Sequence, residues 1–300
     1  MKIKPKQIST IGANPNNGLR WDGYSWTSDP LALGDDSWYG DGSDGYVAIN
    51  SDTTLTRDMI YQNLTIAYNK TIFTDGFRII VRDTLINNGT ISRNGISGTT
   101  GSAVGASALP RTTRPCGGSQ QGGNGSIGNG LSPPDPGVTY AFIGGFGGAG
   151  GNAPSYTGGV GGTLTSAAAP RALPLIIIPA NTSPASTSWC GGCGGGGGAS
   201  SGGGGGGGGG SGGGVILLLA KTIINNGTIS AVGGNGAQAL TSDIRGGGGG
   251  GGGGLIQICC RTLSNNGTIT VAGGSGGLKF GTGATDGVAG AIGTIIIIYN

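Results

Sequence analysis

The sequence predicts an all-β fold in which a bundle of polyglycine II helices lies beside β-solenoid-like stacked repeats, with essentially no α-helix. Three observations predict it. Glycine supplies 73 of the 300 residues, two uninterrupted runs of nine glycines occupy 202–210 and 246–254, and the sequence Asn-Asn-Gly-Thr-Ile occurs three times. All 13 acidic residues are aspartate. The absence of glutamate, a strong helix former, and the excess of glycine both disfavour helix.

Residues 1–34 predict a short hairpin that forms a separate N-terminal unit. Asn17-Gly18 and Asp22-Gly23 are dipeptides typical of tight turns. Trp21 and Trp26 lie five residues apart, and two roles are open for them, a local aromatic clasp or an assembly contact. The N-terminus has no apolar stretch of signal-peptide length. We therefore expect no cleaved leader and synthesis in the host cytoplasm.

Residues 35–100 predict a β-rich domain that contains the first Asn-Asn-Gly-Thr-Ile repeat. No helical pattern interrupts its closely spaced strands, a spacing typical of a β-solenoid coil or of a compact β-sandwich. The expected strands are 46–49, 64–66, 71–73, 77–81 and 84–86, separated by Asp-Gly or Asn-Gly turns.

The internal repeat is the strongest indication of architecture. Three copies of one strand–turn–strand unit occupy 84–92, 222–230 and 262–270, and the last two begin 40 residues apart. Stacked copies would align the asparagine side chains in a ladder and the Thr-Ile strands in a sheet, so that one continuous core is buried. A last strand at 293–299 is expected to close the stack. Residues 215–300 are thus predicted to combine β-repeats with glycine helices.

The two nine-glycine runs are predicted to be a scaffold. Each leads into an apolar strand, at 215–219 or 255–258, which a flexible Gly/Ser spacer would not require. Polyglycine forms a three-fold extended helix that rises about 3.1 Å per residue and has no internal hydrogen bonds. Buried copies must therefore bond to one another laterally. Gly206 and Gly250 are accordingly predicted to be structural glycines, at which a side chain would disrupt packing.

Residues 101–214 are predicted to form a glycine-rich bundle with loops. Loops are expected at the bundle ends, here and farther along the chain, at 131–143, 152–189, 237–245 and 278–287. Loops on a rigid scaffold commonly carry binding residues. Five aromatic residues in or beside them are candidates for receptor contacts, with packing across the glycine layer as the alternative: Tyr140, Phe142, Phe146, Tyr156 and Trp189.

The composition disfavours catalysis, nucleic-acid binding and membrane insertion. The chain has no histidine and no glutamate, and its net charge is only +3. General acid–base pairs are therefore scarce, and no basic footprint for nucleic acid is present. No segment approaches the roughly 18 continuous apolar residues of a membrane span. The densest carboxylates, Asp35, Asp36, Asp41 and Asp44, predict a turn-rich loop, with a weak Ca²⁺ site as the alternative.

The glycine and cysteine motifs do not predict a ligand. No glycine run is followed by Lys-Ser or Lys-Thr, as a phosphate-binding loop would be. Cys190 and Cys193 form a C-x-x-C pair without two further ligands at zinc-site spacing. We expect the cysteines to be mostly reduced, and we predict no catalytic residue, no metal and no cofactor.

Two resemblances suggest a function. The segment 8–26 resembles the short GATxGQVLxWNGxxWxP unit of phage tail and neck fibres, through Ile11-Gly-Ala13, Gly18-Leu-Arg-Trp21 and Asp22-Gly-Tyr-Ser-Trp26. More broadly, the glycine runs together with the Asn-Gly-Thr-Ile repeats resemble glycine-rich virion proteins and the polyglycine-sandwich tip adhesins of tailed phages. In such adhesins, glycine motifs build the bundle and the loops between them touch the host surface.

The resemblances imply a virion protein of a tail fibre, spike or tail tip. Its N-terminal unit would dock to other virion or tail proteins, with Trp21 and Trp26 as the assembly contact. Its loops would bind a host-surface receptor, a glycan or an outer-membrane protein, without catalysis. Homo-oligomer formation stays open. The alternatives are a purely structural, self-assembling fibre or decoration subunit and, less favoured, a polysaccharide depolymerase.

Overall fold

The computed structural model describes residues 17–21, 26–30, 36–109, 116, 118–133, 141–142, 144–163, 189–239 and 243–299. These residues are essentially all-β, and their main sheets are parallel. Their single helix is the four-residue 3₁₀-helix Asp36–Tyr39. In this part of the chain no helix is long and apolar enough to cross a membrane. The predicted all-β class with almost no helix is confirmed.

The strands fall into one hairpin, one short pair and two larger sheets. Several are only two to four residues long because Gly, Asn-Gly and Asp-Gly interrupt the β-branched segments. The bounds are β1 (Asn17–Trp21), β2 (Trp26–Pro30), β3 (Tyr46–Ile49), β4 (Thr53–Thr54), β5 (Met59–Tyr61), β6 (Asn63–Ile66), β7 (Thr71–Phe73), β8 (Ile79–Asn87), β9 (Thr90–Ser92), β10 (Ala141–Phe142), β11 (Trp189–Cys190), β12 (Val215–Asn225), β13 (Thr228–Ser230), β14 (Leu255–Asn265), β15 (Thr268–Thr270) and β16 (Thr294–Tyr299).

The N-terminal hairpin is present, but one of its two predicted turns is not a turn in the structure. Strand β1 pairs antiparallel with β2, which places Trp21 opposite Trp26. Asn17 pairs with Pro30 and Gly18 with Asp29, so the turn predicted at Asn17-Gly18 is wrong. Both residues lie inside β1, because all five residues of β1 pair with the five residues of β2.

The two larger sheets bring the three sequence repeats together in register. One sheet has seven strands in the order β16-β14-β12-β8-β6-β3, with β5 also beside β8, and the other has five in the order β15-β13-β9-β7-β4. Ile223 of β12 lies between Leu85 and Leu263. Equivalent residues of successive repeats are therefore direct neighbours.

One strand replaces two expected strands at the start of the first repeat. The segments 77–81 and 84–86 were predicted to be separate, but β8 runs through Ile79–Asn87. Its first part pairs with β5 and its last part with β6. On its other side β12 pairs with both parts, with a local irregularity between Ala220 and Thr222. Because β12 pairs with β8 on both sides of residues 82–83, β8 remains one continuous strand there.

The predicted asparagine ladder lies at the turn of each repeat. The Asn87 side-chain amide donates to Oδ1 of Asn225 at 2.7 Å, and the Asn225 amide donates to Asn265 at 2.7 Å. A second row runs in the opposite direction, from Asn266 to Asn226 at 3.2 Å and from Asn226 to Asn88 at 2.9 Å. The ladder pairs polar side chains that the stacking would otherwise bury without partners.

Apolar side chains from both sheets form the main core. Leu64, Leu85, Leu218, Ile223 and Ile258 all have 0 % exposure. They belong to one cluster that spans strands before and after the long glycine-rich segment, from residues 49 to 271. The predicted domain boundaries at residues 34, 100 and 214 stay predictions. Strands before residue 100 and strands after residue 214 nevertheless belong to the same sheet and share one hydrophobic core.

Glycine-rich segments extend from the ends of these strands and bond to one another through their backbones. We call this region the glycine array. It comprises 93–98, 102–106, 120–125, 144–151, 158–162, 191–199, 207–214, 231–237, 246–254, 271–277 and 285–293.

The run 246–254 shows how the array is bonded. All nine N–H groups donate to backbone carbonyl oxygens at 2.7 to 3.3 Å, and the acceptor segment changes at each residue and recurs every third. The acceptors are residues 199, 196 and 193 for Gly246, Gly249 and Gly252; residues 285, 288 and 291 for Gly247, Gly250 and Gly253; and residues 237, 234 and 231 for Gly248, Gly251 and Gly254. The backbone thus presents donors in three directions with a period of three residues.

The first nine-glycine run is not equivalent to the second. Gly207 and Gly210 donate to Gly246 and Gly249, so the two runs do lie side by side. However, residues 201–204 bend away from regular geometry, and a Cβ added at Gly203 would meet nothing within 4 Å. The array segment begins later and continues through Ser211 to Gly214. The two runs therefore lie side by side over only part of their length.

Candidate functional site

The glycine array has two ends of different character. At one end its segments enter the strands β12, β14 and β16, at residues 215, 255 and 294; we call this the core end. At the other end the chain turns back through the loops 126–130, 152–157, 200–205 and 278–284 and through residues 243–245. We call the surface formed by these residues the distal surface.

Backbone pairing joins four of the distal loops side by side. Isolated antiparallel bridges link Gly128 to Ser200, Ser200 to Arg245, and Arg245 to Phe280. The amide of Gly128 donates to the Ser200 carbonyl at 2.7 Å, and the amide of Arg245 donates to the Phe280 carbonyl at 2.9 Å. The loops therefore continue the hydrogen bonding of the array and do not project from it independently.

Side-chain acceptors hold the distal backbone in place. Asn129 Oδ1 accepts from the Thr157 amide at 2.9 Å, and Asn152 Oδ1 accepts from the Gly158 amide at 2.8 Å. Asp286 Oδ1 likewise accepts from the Lys279 amide at 2.8 Å. Short Asn and Asp side chains often bond nearby backbone in this way and so stabilise turns. The distal loops are consequently well ordered by local contacts.

Arg245 lies beneath the distal surface and is paired there. Its guanidinium is buried, and Nη2 lies 3.0 Å from Oδ2 of Asp243. Asp243 has a positive φ of 62°, a left-handed conformation that Asp adopts more readily than most side chains. The buried guanidinium has a carboxylate partner, as buried charges require. It also donates to the Gly205 carbonyl oxygen at 3.5 Å, so Arg245 links the residues 243–245 to the loop 200–205.

Five apolar side chains are exposed at or beside this surface. Exposed apolar residues that share one surface of a hydrogen-bonded scaffold can mark an interaction site. The residues are Ile127, Leu131, Tyr156, Leu278 and Phe280.

The structure separates the aromatic residues that were predicted to contact a receptor. Tyr156 lies on the distal surface, where its ring would be 3.7 Å from a Cβ built on Gly128. Phe146 is half exposed and lies toward the core end, since its neighbour Gly145 donates to Gly253 at 2.8 Å. Phe142 and Trp189 lie in the paired strands β10 and β11, which precede array segments at the core end. Tyr140 lies outside the described residues.

The exposed aliphatic residues were not among the predicted candidates, although the sequence carries a signal for them. The candidates were aromatic residues between 140 and 189, so Phe280 in the predicted loop 278–287 was missed as well. Leu131 and Leu278 each begin a segment that was predicted to be a loop, and Ile127 interrupts a Gly-Ser sequence. Large apolar residues at the boundary of a glycine segment would have identified them.

The predicted glycine positions make close backbone contacts. A Cβ added at Gly250 would lie 2.0 Å from the Gly274 carbonyl oxygen, and one at Gly206 would lie 2.5 Å from the Gly198 carbonyl. Real Cβ atoms cannot approach backbone so closely without displacing it. The geometry is that expected of structural glycines.

The cysteines have the character of buried packing residues. Cys116, Cys193, Cys259 and Cys260 are all buried. Burial raises the pKa of Cys116 to about 12, and burial, with the neighbouring Cys259 thiol, raises that of Cys260 to about 11. Both thiols are therefore protonated, and weakly nucleophilic, at neutral pH. The side chain of Cys190 lies outside the described part of the structure.

The aspartate-rich loop contributes to structure. Asp44 lies 2.6 Å from Arg57 and accepts from the Ile60 amide at 2.7 Å, and its hydrogen bonds with Arg57 lower its pKa. Asp41 accepts from the Ser43 amide at 2.9 Å. Within the described ranges no three His, Cys, Asp or Glu residues lie together as metal ligands would, and Asp35 lies outside those ranges.

Comparisons with protein-family models, curated proteins and solved structures found no match to this chain.

Proposed function

We propose that the chain is a structural protein of a phage-like virion, a tail fibre, spike or tip adhesin, that binds a host-surface receptor without catalysis. The observation that carries this proposal is the distal surface. It exposes Ile127, Tyr156 and Phe280 on loops that are bonded to one another and to the glycine array. We assign receptor contact to this surface.

We further propose that the array is a polyglycine II bundle and that the stacked strands are coils of a β-solenoid. The three-residue recurrence of acceptors along 246–254 supports the first assignment, because polyglycine II has three residues per turn and bonds only to its neighbours. The parallel, in-register pairing of successive repeats supports the second.

A scaffold of this kind suits a binding role at a particle tip. Loops that are ordered before binding lose less conformational entropy when they meet a receptor. Here the order comes from backbone hydrogen bonds that continue from the array into the loops. The distal surface would therefore engage its receptor with little rearrangement.

The N-terminal hairpin is proposed to attach the chain to other virion proteins. Support comes from the resemblance of 8–26 to fibre units and from the opposition of Trp21 and Trp26 across β1 and β2. Aromatic residues are enriched at protein interfaces. The virion is accordingly the proposed location of the protein.

The binding proposal is tested by capture of host envelope fractions on the purified full chain. Phe280→Asp and Tyr156→Ala should each reduce capture about tenfold or more, as loss of a central aromatic contact commonly does. Val160→Asp is the matched control, because Val160 is exposed on the flank of the array and outside the distal surface. The captured receptor should be recovered intact.

Three outcomes would overturn the proposal. Equal loss of capture in the control would remove the assignment to the distal surface. Release of oligosaccharide would indicate a depolymerase. Binding of the chain only to itself would favour the alternative of a self-assembling fibre or decoration subunit, a role supported by the exposed sheet edge at β16.

A further inference from the structure

The two ends of the strand stack differ in how their edges are protected. Strands β3 and β4 lie at one end of the two sheets, and β16 and β15 lie at the other. We call the first the N-terminal edge. The second, formed by residues 261–265, β15, 287–293 and β16, we call the C-terminal edge. Unpaired sheet edges bind other strands unless short length, charge or a covering segment prevents it.

The N-terminal edge carries two of these protections, short strands and charged groups. Strand β4 has two residues and β3 has four. The Asp44 carboxylate accepts from the Ile60 amide at 2.7 Å, and Asp52 accepts from the Thr71 amide at 2.9 Å. This end of the stack is closed by polar groups.

The C-terminal edge differs along its length. Its part formed by residues 261–265 and β15 includes Arg261 and a strand of only three residues, whereas in its part formed by 287–299 the described residues show neither protection. Strand β16 has six residues, Thr-Ile-Ile-Ile-Ile-Tyr. The 13 residues from 287 to 299 include no charged residue and no proline. Val288 and Ile292, on the array segment that precedes β16, are exposed as well. Residues 287–299 thus form an apolar strip that is continuous from the array into the sheet.

The core itself reaches the surface at this edge. Ile295 and Ile297 are in register with Ile256 and Ile258. The latter pair is 0 % exposed, whereas Ile295 is 40 % and Ile297 is 38 % exposed. Their side chains extend buried columns of the core by one uncovered layer. A further layer with apolar residues at alternate positions would bury them.

Equivalent positions in the repeats show the same difference. Ile223 and Ile229 of the second repeat are fully buried. Their counterparts Leu263 and Ile269 in the third repeat are only partly buried and still pack against the core cluster. The third repeat therefore has the sequence of an interior layer and the exposure of a terminal one.

We propose that the C-terminal edge is the interface of a homodimer, in which it packs against the same edge of a second copy of the chain. The N-terminal edge is closed, so head-to-tail stacking would place an apolar surface against a charged one. Contact between two C-terminal edges places one apolar surface against another. In such a two-fold contact both copies use the same surface, so no copy of it is left free to bind a third chain. The result is a pair, not a filament.

The sequence of β16 is suited to this contact. Antiparallel pairing about Ile296 would place Ile295 of each copy opposite Ile297 of the other, with both on the core side of the sheet. Opposed β-branched pairs are favourable cross-strand neighbours. This inference goes beyond receptor binding and does not depend on it.

Sedimentation of the purified full chain over a range of concentrations tests the dimer. The wild-type chain should have twice the monomer mass. Ile297→Lys should shift the equilibrium to monomer by tenfold or more, because an edge lysine blocks strand pairing. Val160→Lys is the matched control, since Val160 is 64 % exposed on the array flank, and it should stay dimeric.

A second variant separates loss of contact from loss of folding. Tyr299→Lys changes the last residue of β16, which is 64 % exposed, and should also give monomer with an unchanged thermal transition. A wild-type chain that is monomeric at every concentration overturns the proposal, as do filaments of increasing length. Equal dissociation of the Val160→Lys control would also overturn it. Receptor capture is measured separately, so failure of the dimer leaves the adhesin proposal independently testable.

Discussion

In the stacked strands, Leu218 and Ile258 fill the space between two sheets with side chains. In the glycine array, Gly250 and Gly251 bring neighbouring backbones into direct hydrogen-bond contact. The same chain passes through both regions, since most array segments continue into a strand or follow one. One region is thus held by burial of apolar area, and the other by hydrogen bonds between closely packed main chains.

The two regions differ in how well they tolerate amino-acid substitution. A core side chain can be shortened at the cost of a cavity into which its neighbours partly relax. An added methyl group in the array meets backbone on a neighbouring segment, and that segment is itself bonded to others. Substitutions in the array should therefore be more damaging than equally conservative ones in the strands.

The largest effect is expected for Gly250→Val. The added Cβ would lie 2.0 Å from the Gly274 carbonyl oxygen, so at least two array segments must separate. We expect a loss of about 4 kcal/mol or more in the free energy of unfolding, in the range of severe core disruption. Urea unfolding followed by circular dichroism measures it.

Gly203→Val is the matched control, because Gly203 belongs to the other nine-glycine run and a Cβ there meets nothing within 4 Å. It should change stability by less than about 1 kcal/mol. Similar losses for the two variants would contradict the distinction between the runs.

A smaller effect is expected for Leu218→Ala in the strand core. Leu218 is fully buried, and truncation of a buried leucine commonly costs about 2–5 kcal/mol, depending on how far the site relaxes. We expect the lower part of this range, about 3 kcal/mol, because stacked neighbours in β8 and β14 can move toward the gap. The same unfolding experiment checks it, and a loss larger than that of Gly250→Val would reverse the comparison.

The smallest effect is expected at Asp44, in the polar cover of the N-terminal edge. Its pKa is lowered, chiefly by hydrogen bonds from Arg57, so the folded state favours the carboxylate. The resulting stabilisation is complete above the unfolded-state pKa of about 4 and is lost as pH falls through the lower folded-state pKa. Asp44→Asn should cost less than about 1 kcal/mol at neutral pH. The difference from wild type should shrink below about pH 4, and a constant difference would contradict this role.

Much of the strand region was predictable from local sequence. The three repeat units carry their own register, because the same Asn-Asn-Gly-Thr-Ile sequence recurs in each and aligns when the units stack. The ladder from Asn87 through Asn225 to Asn265 follows directly from this. The continuity of β8 was not predictable, because it depends on pairing with β12, which lies far away in the sequence.

The glycine region was predictable in kind and not in arrangement. A run of nine glycines has no side chains with which to specify neighbours, so two identical runs look equivalent in sequence. In the structure they differ, since residues 201–204 bend out of the array while 246–254 is bonded throughout. The distal surface has the same origin, because Ser200, Arg245 and Phe280 meet only through long-range pairing.

The sequence by itself determined the all-β class, the repeat register and the need for close backbone packing at the glycines. These properties follow from local propensity, from spacing and from the absence of side chains. Only the tertiary structure decided which glycine segments are neighbours, which loops form one surface and which sheet edge is left open. Those outcomes depend on hydrogen bonds between backbone groups that are chemically alike in every residue, and only their positions in space distinguish them.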